Sequence, residues 1–160
     1  MWIHSFVIRP FHFNVTHSRV RCVPNTCESE QLREWGVDLP EGHTIHRAAL
    51  DHRRVLAGQK LSISSPQGRF SDGASLLDAQ FCETVEAFGK HLVYRFRNKL
   101  ALHIHLGLFG RIRKQPLPLK DPKGAVRVRI TCKTHFIDIN GPTICEVLDQ
   151  PGINALITRI

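Results

Sequence analysis

A chain of 160 residues with 42% hydrophobic content supports one globular core and excludes two comfortable ones. Lysine and arginine outnumber aspartate and glutamate 22 to 14, and the resulting +8 charge, with a pI near 9.7, favours a polyanionic partner, nucleic acid ahead of membrane. No apolar run approaches the roughly 20 residues of a transmembrane helix, and the five cysteines, an odd number without a C-x-x-C pair, indicate free thiols of a reducing compartment rather than a disulfide framework or a zinc site.

Residues 1–39 carry four arginines and four acidic residues, so the remaining 18 basic and 10 acidic residues hold the entire net charge. This leader shows no sustained period of 2 or 3.6, and no basic segment precedes a clean apolar one, so no signal peptide is read. Poor order is expected, with at most a short strand over residues 3–8 and a turn or two of helix over residues 28–35.

The pattern sharpens after Pro40. Thr44 is the predicted N-cap of a helix in which Ile45, Ala48, Ala49, His52 and Leu56 recur at helical spacing, with Gly58 placed to end it near Ala57. Arg47, Arg53 and Arg54 take the other face. From Lys60 the period becomes 2: Leu61 and Ile63 alternate with Ser62 and Ser64, residues 66–73 read as a loop, and Phe81, Glu83, Val85 and Ala87 suggest a second strand.

Leu92, Tyr94 and Phe96 alternate with Val93, Arg95 and Arg97, Asn98-Lys99 forms a turn, and Leu100, Leu102, Ile104 and Leu106 alternate with Ala101, His103 and His105. That is an antiparallel hairpin. Gly107-Leu108-Phe109-Gly110 interrupts it. A basic strand over residues 111–114, a proline-rich loop over residues 115–124, strands over residues 126–130 and 135–139, the turn Asn140-Gly141-Pro142 and a short helix from about Gln150 complete the chain. Six or seven short strands with an early and a late helix predict a mainly β fold with α, an antiparallel β-sandwich or flattened barrel. Residues 156–160 read as a helix without a C-cap, and the chain is therefore read as incomplete.

Three stretches carry candidate chemistry. A proline nitrogen is a nucleophilic secondary amine only at a free N-terminus, because inside a chain its lone pair is delocalised into the amide. At a terminus Pro40 could attack a sugar carbon to give an iminium, with Glu41 transferring protons beside it; in the interior, Pro-Glu is an ordinary helix start. Lys90, in Phe88-Gly89-Lys90-His91, could bind a phosphate or donate a proton, or be plain surface. Leu108 and Phe109, flanked by glycines, are costly in solvent unless something covers them: either they fold back on the core or they serve as an apolar wedge in a base stack.

In this order the three stretches resemble the formamidopyrimidine-DNA glycosylase/endonuclease VIII family of base-excision repair enzymes, particularly its endonuclease VIII-like actinobacterial-type members. Pro40-Glu41-Gly42-His43-Thr44-Ile45-His46-Arg47 is similar to that family's mature N-terminus, Phe88-Gly89-Lys90 to its lysine motif, and His105-Leu106-Gly107-Leu108-Phe109-Gly110 to its His-Leu-Gly-Met type loop. The resemblance spans residues 40–160. It implies a bifunctional DNA glycosylase/AP lyase with Pro40 as Schiff-base nucleophile, Glu41 as proton-transfer group and Lys90 as phosphate contact and aid to β-elimination. Leu108, with Phe109 beside it, would fill the gap left by an extruded nucleotide, while His105, Arg111 and Arg159 would contact DNA.

The resemblance further implies damaged double-stranded DNA as partner, a monomer, no membrane and a cytoplasmic, nucleoid-associated bacterial protein. No cofactor or metal is expected within this chain. The family's helix-two-turn-helix and structural zinc finger belong to a C-terminal part absent from it. The 39 residues ahead of Pro40 would bury its nitrogen in a peptide bond, and the contrast between neutral leader and basic remainder points to a translation start at the Leu39 codon. The alternative is a truncated, inactive remnant that keeps only DNA affinity.

Overall fold

The structure, a computed structural model, describes residues 41–160; Pro40 and the 1–39 leader lie outside the described residues. Among the described residues, eight strands and three helices form two four-stranded antiparallel sheets. One sheet has the order β1-β6-β7-β5, from β1 (Ser62–Ser64), β6 (Val126–Thr131), β7 (His135–Asn140) and β5 (Arg111–Pro116). The other runs β2-β3-β4-β8, from β2 (Cys82–Phe88), β3 (His91–Phe96), β4 (Ala101–His105) and β8 (Ile144–Leu148). The expected sandwich is present, and it is not closed into a barrel.

Between the sheets lies one apolar core. Ile63, Val128, Ile130, Ile137 and Ile139 from one sheet meet Val85, Leu92, Tyr94, Leu102 and Ile104 from the other, joined by Ile45, Ala49 and Leu56 from helix α1 (Gly42–Leu56). The alternation read along β1, β3, β4, β6 and β7 matches this inward face. Within it, the Tyr94 hydroxyl and Nδ1 of buried His52 share a hydrogen bond of 2.8 Å, so both polar groups are satisfied.

Several elements differ from expectation, each for a local reason. Helix α1 starts at Gly42, two residues before the predicted N-cap Thr44; extended Glu41 is the cap residue, its carbonyl accepting from Ile45 N at 3.1 Å without any side-chain cap. The loop expected at residues 66–73 runs into helix α2 (Ser71–Leu77). Its period was obscured by Gly73, which is small for a reason: a Cβ there would collide with the Phe70 ring. In β2 a register irregularity between Cys82 and Thr84 turns Cys82 inward and leaves Phe81 exposed, so the predicted Phe81-Glu83-Val85-Ala87 face is broken near its start.

Strand β5 continues through Gln115 and Pro116, which the sequence assigned to a loop; as an edge strand paired only with β7 it tolerates the proline. Strand β8 went unread, since Ile144-Cys145-Glu146-Val147-Leu148 lacks clean alternation.

Helix α3 (Gln150–Arg159) begins as expected, capped by Asp149, whose carboxylate accepts from Gly152 N at 2.9 Å. It packs Ile153 and Leu156 against Val93, Ala101, Phe88 and Leu148 on the outer face of the second sheet. Val93 and Ala101 are therefore buried although the alternation placed them outward. Cys82, Cys132 and Cys145 are free, and burial pushes the Cys82 and Cys145 thiols up to about 12, so both are poor nucleophiles. Among the described residues no helix is long and apolar enough to cross a membrane.

Burial lowers the His52 pKa from 6.5 to about 4, so between those values the unfolded chain holds a proton that the folded chain rejects, and stability falls as pH drops below 6.5. His52→Gln, which can still pair with Tyr94, is expected to lose about 2 kcal/mol less stability than the native chain between pH 7 and pH 5 in urea unfolding.

Candidate active site at one rim of the sandwich

The site forms where the start of α1 meets the β2–β3 turn. Gly42, the first residue of α1, lies against the β2–β3 turn: a Cβ built on it would sit 3.7 Å from the Gly89 carbonyl oxygen. Gly89 itself turns with φ +56°, a conformation that suits glycine. Glu41 and Lys90, the sequence neighbours of these glycines, therefore flank one spot. Both are exposed, and the Glu41 carboxylate is 3.4 Å from Nδ1 of His43. The structure thus places the backbones next to Glu41 and Lys90 near each other, and the predicted nucleophile Pro40 lies outside the described residues.

What holds α1 in this position is specific. Arg53, in its last turn, donates from Nε (2.8 Å) and Nη2 (2.6 Å) to the Val85 carbonyl of β2, while Ile45, Ala49 and Leu56 sink into the core. The tip of α3 reaches the same corner. A Cβ on Gly89 would lie 3.6 Å from the Ile160 side chain, and Arg159 is exposed in the turn just before it. Arg159 also donates from Nε to Ala155 of its own helix at 3.4 Å.

Register places the remaining candidates at this rim. His91 pairs with His105 across β3 and β4, and His105 pairs with Ile144 of β8. Beyond His105 the chain makes a tight loop in which Gly110 N donates to the Leu106 carbonyl at 3.0 Å. A Cβ at Gly110 would strike that carbonyl, and one at Gly107, where φ is +65°, would strike Thr143. Leu108 and Phe109 do not fold back on the core: they are 66% and 88% exposed. Leaving them in water forgoes roughly 1.5–3 kcal/mol each. Exposed Arg111 then opens β5 in the other sheet.

Three residues at this rim were not identified from sequence. His103 is buried, its Nδ1 is 2.9 Å from the Glu146 carboxylate, and its Nε2 is 2.8 Å from Nδ1 of His91. The His91 and His103 rings lie end to end through this bond, 24° from parallel with centroids 5.1 Å apart, and the His91 ring tilts against that of His105 at 4.7 Å. Burial first, then neighbouring His103, hold both His91 and His105 below the usual imidazole range. A two-residue turn at Asn98-Lys99 would set His91 opposite Leu106; the observed register differs by one residue and pairs His91 with His105, and Glu146 was hidden with unread β8. Among the described residues no group of three His, Cys, Asp or Glu is arranged to hold a metal ion.

The model of the formamidopyrimidine-DNA glycosylase N-terminal domain matches residues 28–143, against the span 40–160 suggested by the motifs. Endonuclease 8 1 of Mycobacterium tuberculosis and of Mycobacterium bovis are each 40% identical over 126 residues, which cover 76% of this chain and 47% of theirs. This chain thus spans about half the length of the curated relatives it matches. The fold is similar to that of wild-type Lactococcus lactis Fpg (MutM) in complex with N7-benzyl-Fapy-dG containing DNA, at TM-score 0.65 and 17% identity over 75% of this chain and 48% of that one. MutM in complex with carbocyclic 8-oxo-G containing DNA matches with the same score and identity over 75% and 49%.

Because Phe109 packs against nothing in the core, Phe109→Ser is expected to leave unfolding stability within about 0.5 kcal/mol of the native chain. Gly110→Ala, forced against a backbone carbonyl, should cost more than about 1 kcal/mol in the same urea titration.

Proposed function

The chain belongs to the formamidopyrimidine-DNA glycosylase/endonuclease VIII family and carries its N-terminal β-sandwich, and on that premise we propose that it is the catalytic half of a bifunctional DNA glycosylase/AP lyase that removes oxidised bases from double-stranded DNA. The observation that supports this reading is the contact of Gly42 with Gly89, whose sequence neighbours are Glu41 and Lys90, at the end of the second sheet from which the exposed Leu108–Phe109 loop also leaves. The basic balance of the chain supports a DNA partner.

In this mechanism the free amine of Pro40 attacks C1′ of the damaged nucleotide. The bond from C1′ to the base breaks and the base departs with a proton. Glu41 protonates the ring oxygen as the sugar opens, which leaves an iminium that draws electrons from C1′. Loss of a C2′ proton then expels the 3′ phosphate by β-elimination, and Lys90 holds a neighbouring phosphate through that step. The target nucleotide must leave the stack to be reached, and Leu108, with Phe109 beside it, occupies the vacated space. His105, Arg111 and Arg159 supply backbone contacts. The amine exists only if the chain begins at Pro40, so translation from the Leu39 codon and removal of the initiator methionine are part of the proposal.

Protein beginning at Pro40 and protein beginning at Met1 are each incubated with abasic-site DNA and borohydride. A covalent adduct is expected from the first alone, and Glu41→Gln should slow strand cleavage by roughly 100-fold, the lower range for loss of a positioned proton-transfer group. No adduct from either protein would leave a DNA-binding remnant as the surviving reading.

A further inference from the structure

We infer that His91 is an anion-binding side chain of this rim, charged through a relay that runs by way of His103 to Glu146, and that it takes a phosphate group beside Lys90. The direction of the relay follows from its end. An ionised carboxylate only accepts hydrogen bonds, so Nδ1 of His103 donates to Glu146 at 2.9 Å. Neutral His103 then presents a lone pair at Nε2, which accepts from Nδ1–H of His91 at 2.8 Å. Neutral His91 is left with its lone pair on Nε2. That nitrogen is where the chain takes up a proton, and once it has one it becomes a donor to an oxyanion.

The surroundings make this a conditional charge. On the relay's face of the sheet stand His91 from β3, His103 and His105 from β4 and Glu146 from β8, and Lys90 of the adjoining turn is close enough for its charge to act on His105. The pair Arg95 and Glu86 lies farther along β3 and β2. Helix α3 lays apolar Ile153 and Leu156 on this face, and its charged residue is Arg159. Three imidazoles and an ammonium crowd together, with Glu146 at the far end and about half exposed.

Without an anion, burial and mutual repulsion hold His91 neutral, as its lowered pKa reflects. A phosphate reverses that sign, and the proton it draws onto His91 is shared toward Glu146. Nδ1 of His105, buried without a partner, marks a second polar atom that the free protein leaves unpaired. Phosphate binding is thereby linked to uptake of one proton. Only the source of the phosphate, a DNA backbone, rests on the function proposed above.

Two measurements on the full 160-residue chain test this. Histidine ring NMR follows the titration of His91 with and without inorganic phosphate, and fluorescence anisotropy follows binding of a duplex bearing a tetrahydrofuran abasic-site analogue at fixed salt between pH 6 and pH 8. Phosphate is expected to raise the His91 titration, and duplex affinity should fall toward tenfold per pH unit above it. Glu146→Gln keeps an acceptor for His103 but removes the charge, so it should lower the His91 titration and weaken the phosphate response. His91→Leu should flatten the pH dependence of binding. A His91 titration unmoved by phosphate, or unchanged by Glu146→Gln, overturns the inference. The phosphate response without duplex binding upholds the anion site and removes the nucleic-acid reading instead.

Discussion

The anchoring of α1 on β2 is the constraint on which the rest of the site depends. Arg53 clamps the Val85 carbonyl near one end of the helix, Gly42 meets Gly89 at the other, and buried Ile45, Ala49 and Leu56 lie between. A helix held at both ends has little freedom to slide, so the position of Glu41 relative to Lys90 is set by the fold rather than by loop conformation. Preorganisation of this kind is what acid–base chemistry on a positioned sugar requires, since small misplacements cost large factors in rate. Gly89 matters for its backbone, because the turn takes φ +56° there.

The second sheet divides its faces between two tasks. Its inner face supplies the apolar core, and its outer face combines the α3 contact with the imidazole relay. One strand pair accomplishes both because side chains alternate: Leu92, Tyr94, Leu102 and Ile104 point inward, while His91, His103 and His105 line the other side. The relay therefore sits on a rigid platform, and α3 shields part of that platform from water. The same β4 runs on into the loop that exposes Leu108 and Phe109, which links apolar tip and polar relay through one strand.

Most of the sandwich could be read from sequence because strands facing a single core leave a period-2 trace, and that trace is strong in β1, β3, β4, β6 and β7. It failed where another demand overrode the pattern. Gly73 makes room for the Phe70 ring and hides α2; an irregularity reverses β2 at Cys82; in β8 the outward positions Ile144 and Leu148 are apolar, Leu148 because it packs with α3, so only Glu146 marks the polar face. At the site, Glu41, Lys90, Leu108 and Phe109 were legible as motifs, and the meeting of Gly42 with Gly89 is a tertiary contact that no local pattern carries. The relay was only partly visible: the alternation put His103 and His105 on one face of β4, while the register that sets His91 opposite His105 differs by one residue from the turn read at Asn98-Lys99.

The proposed chemistry requires a free secondary amine at Pro40, and the most direct test is the mass of the N-terminal peptide of the protein isolated from its native host. A peptide that begins at Pro40 is the expected result. A native protein whose N-terminal peptide begins at Met1 or at Trp2 would place Pro40 inside an amide and contradict the central claim.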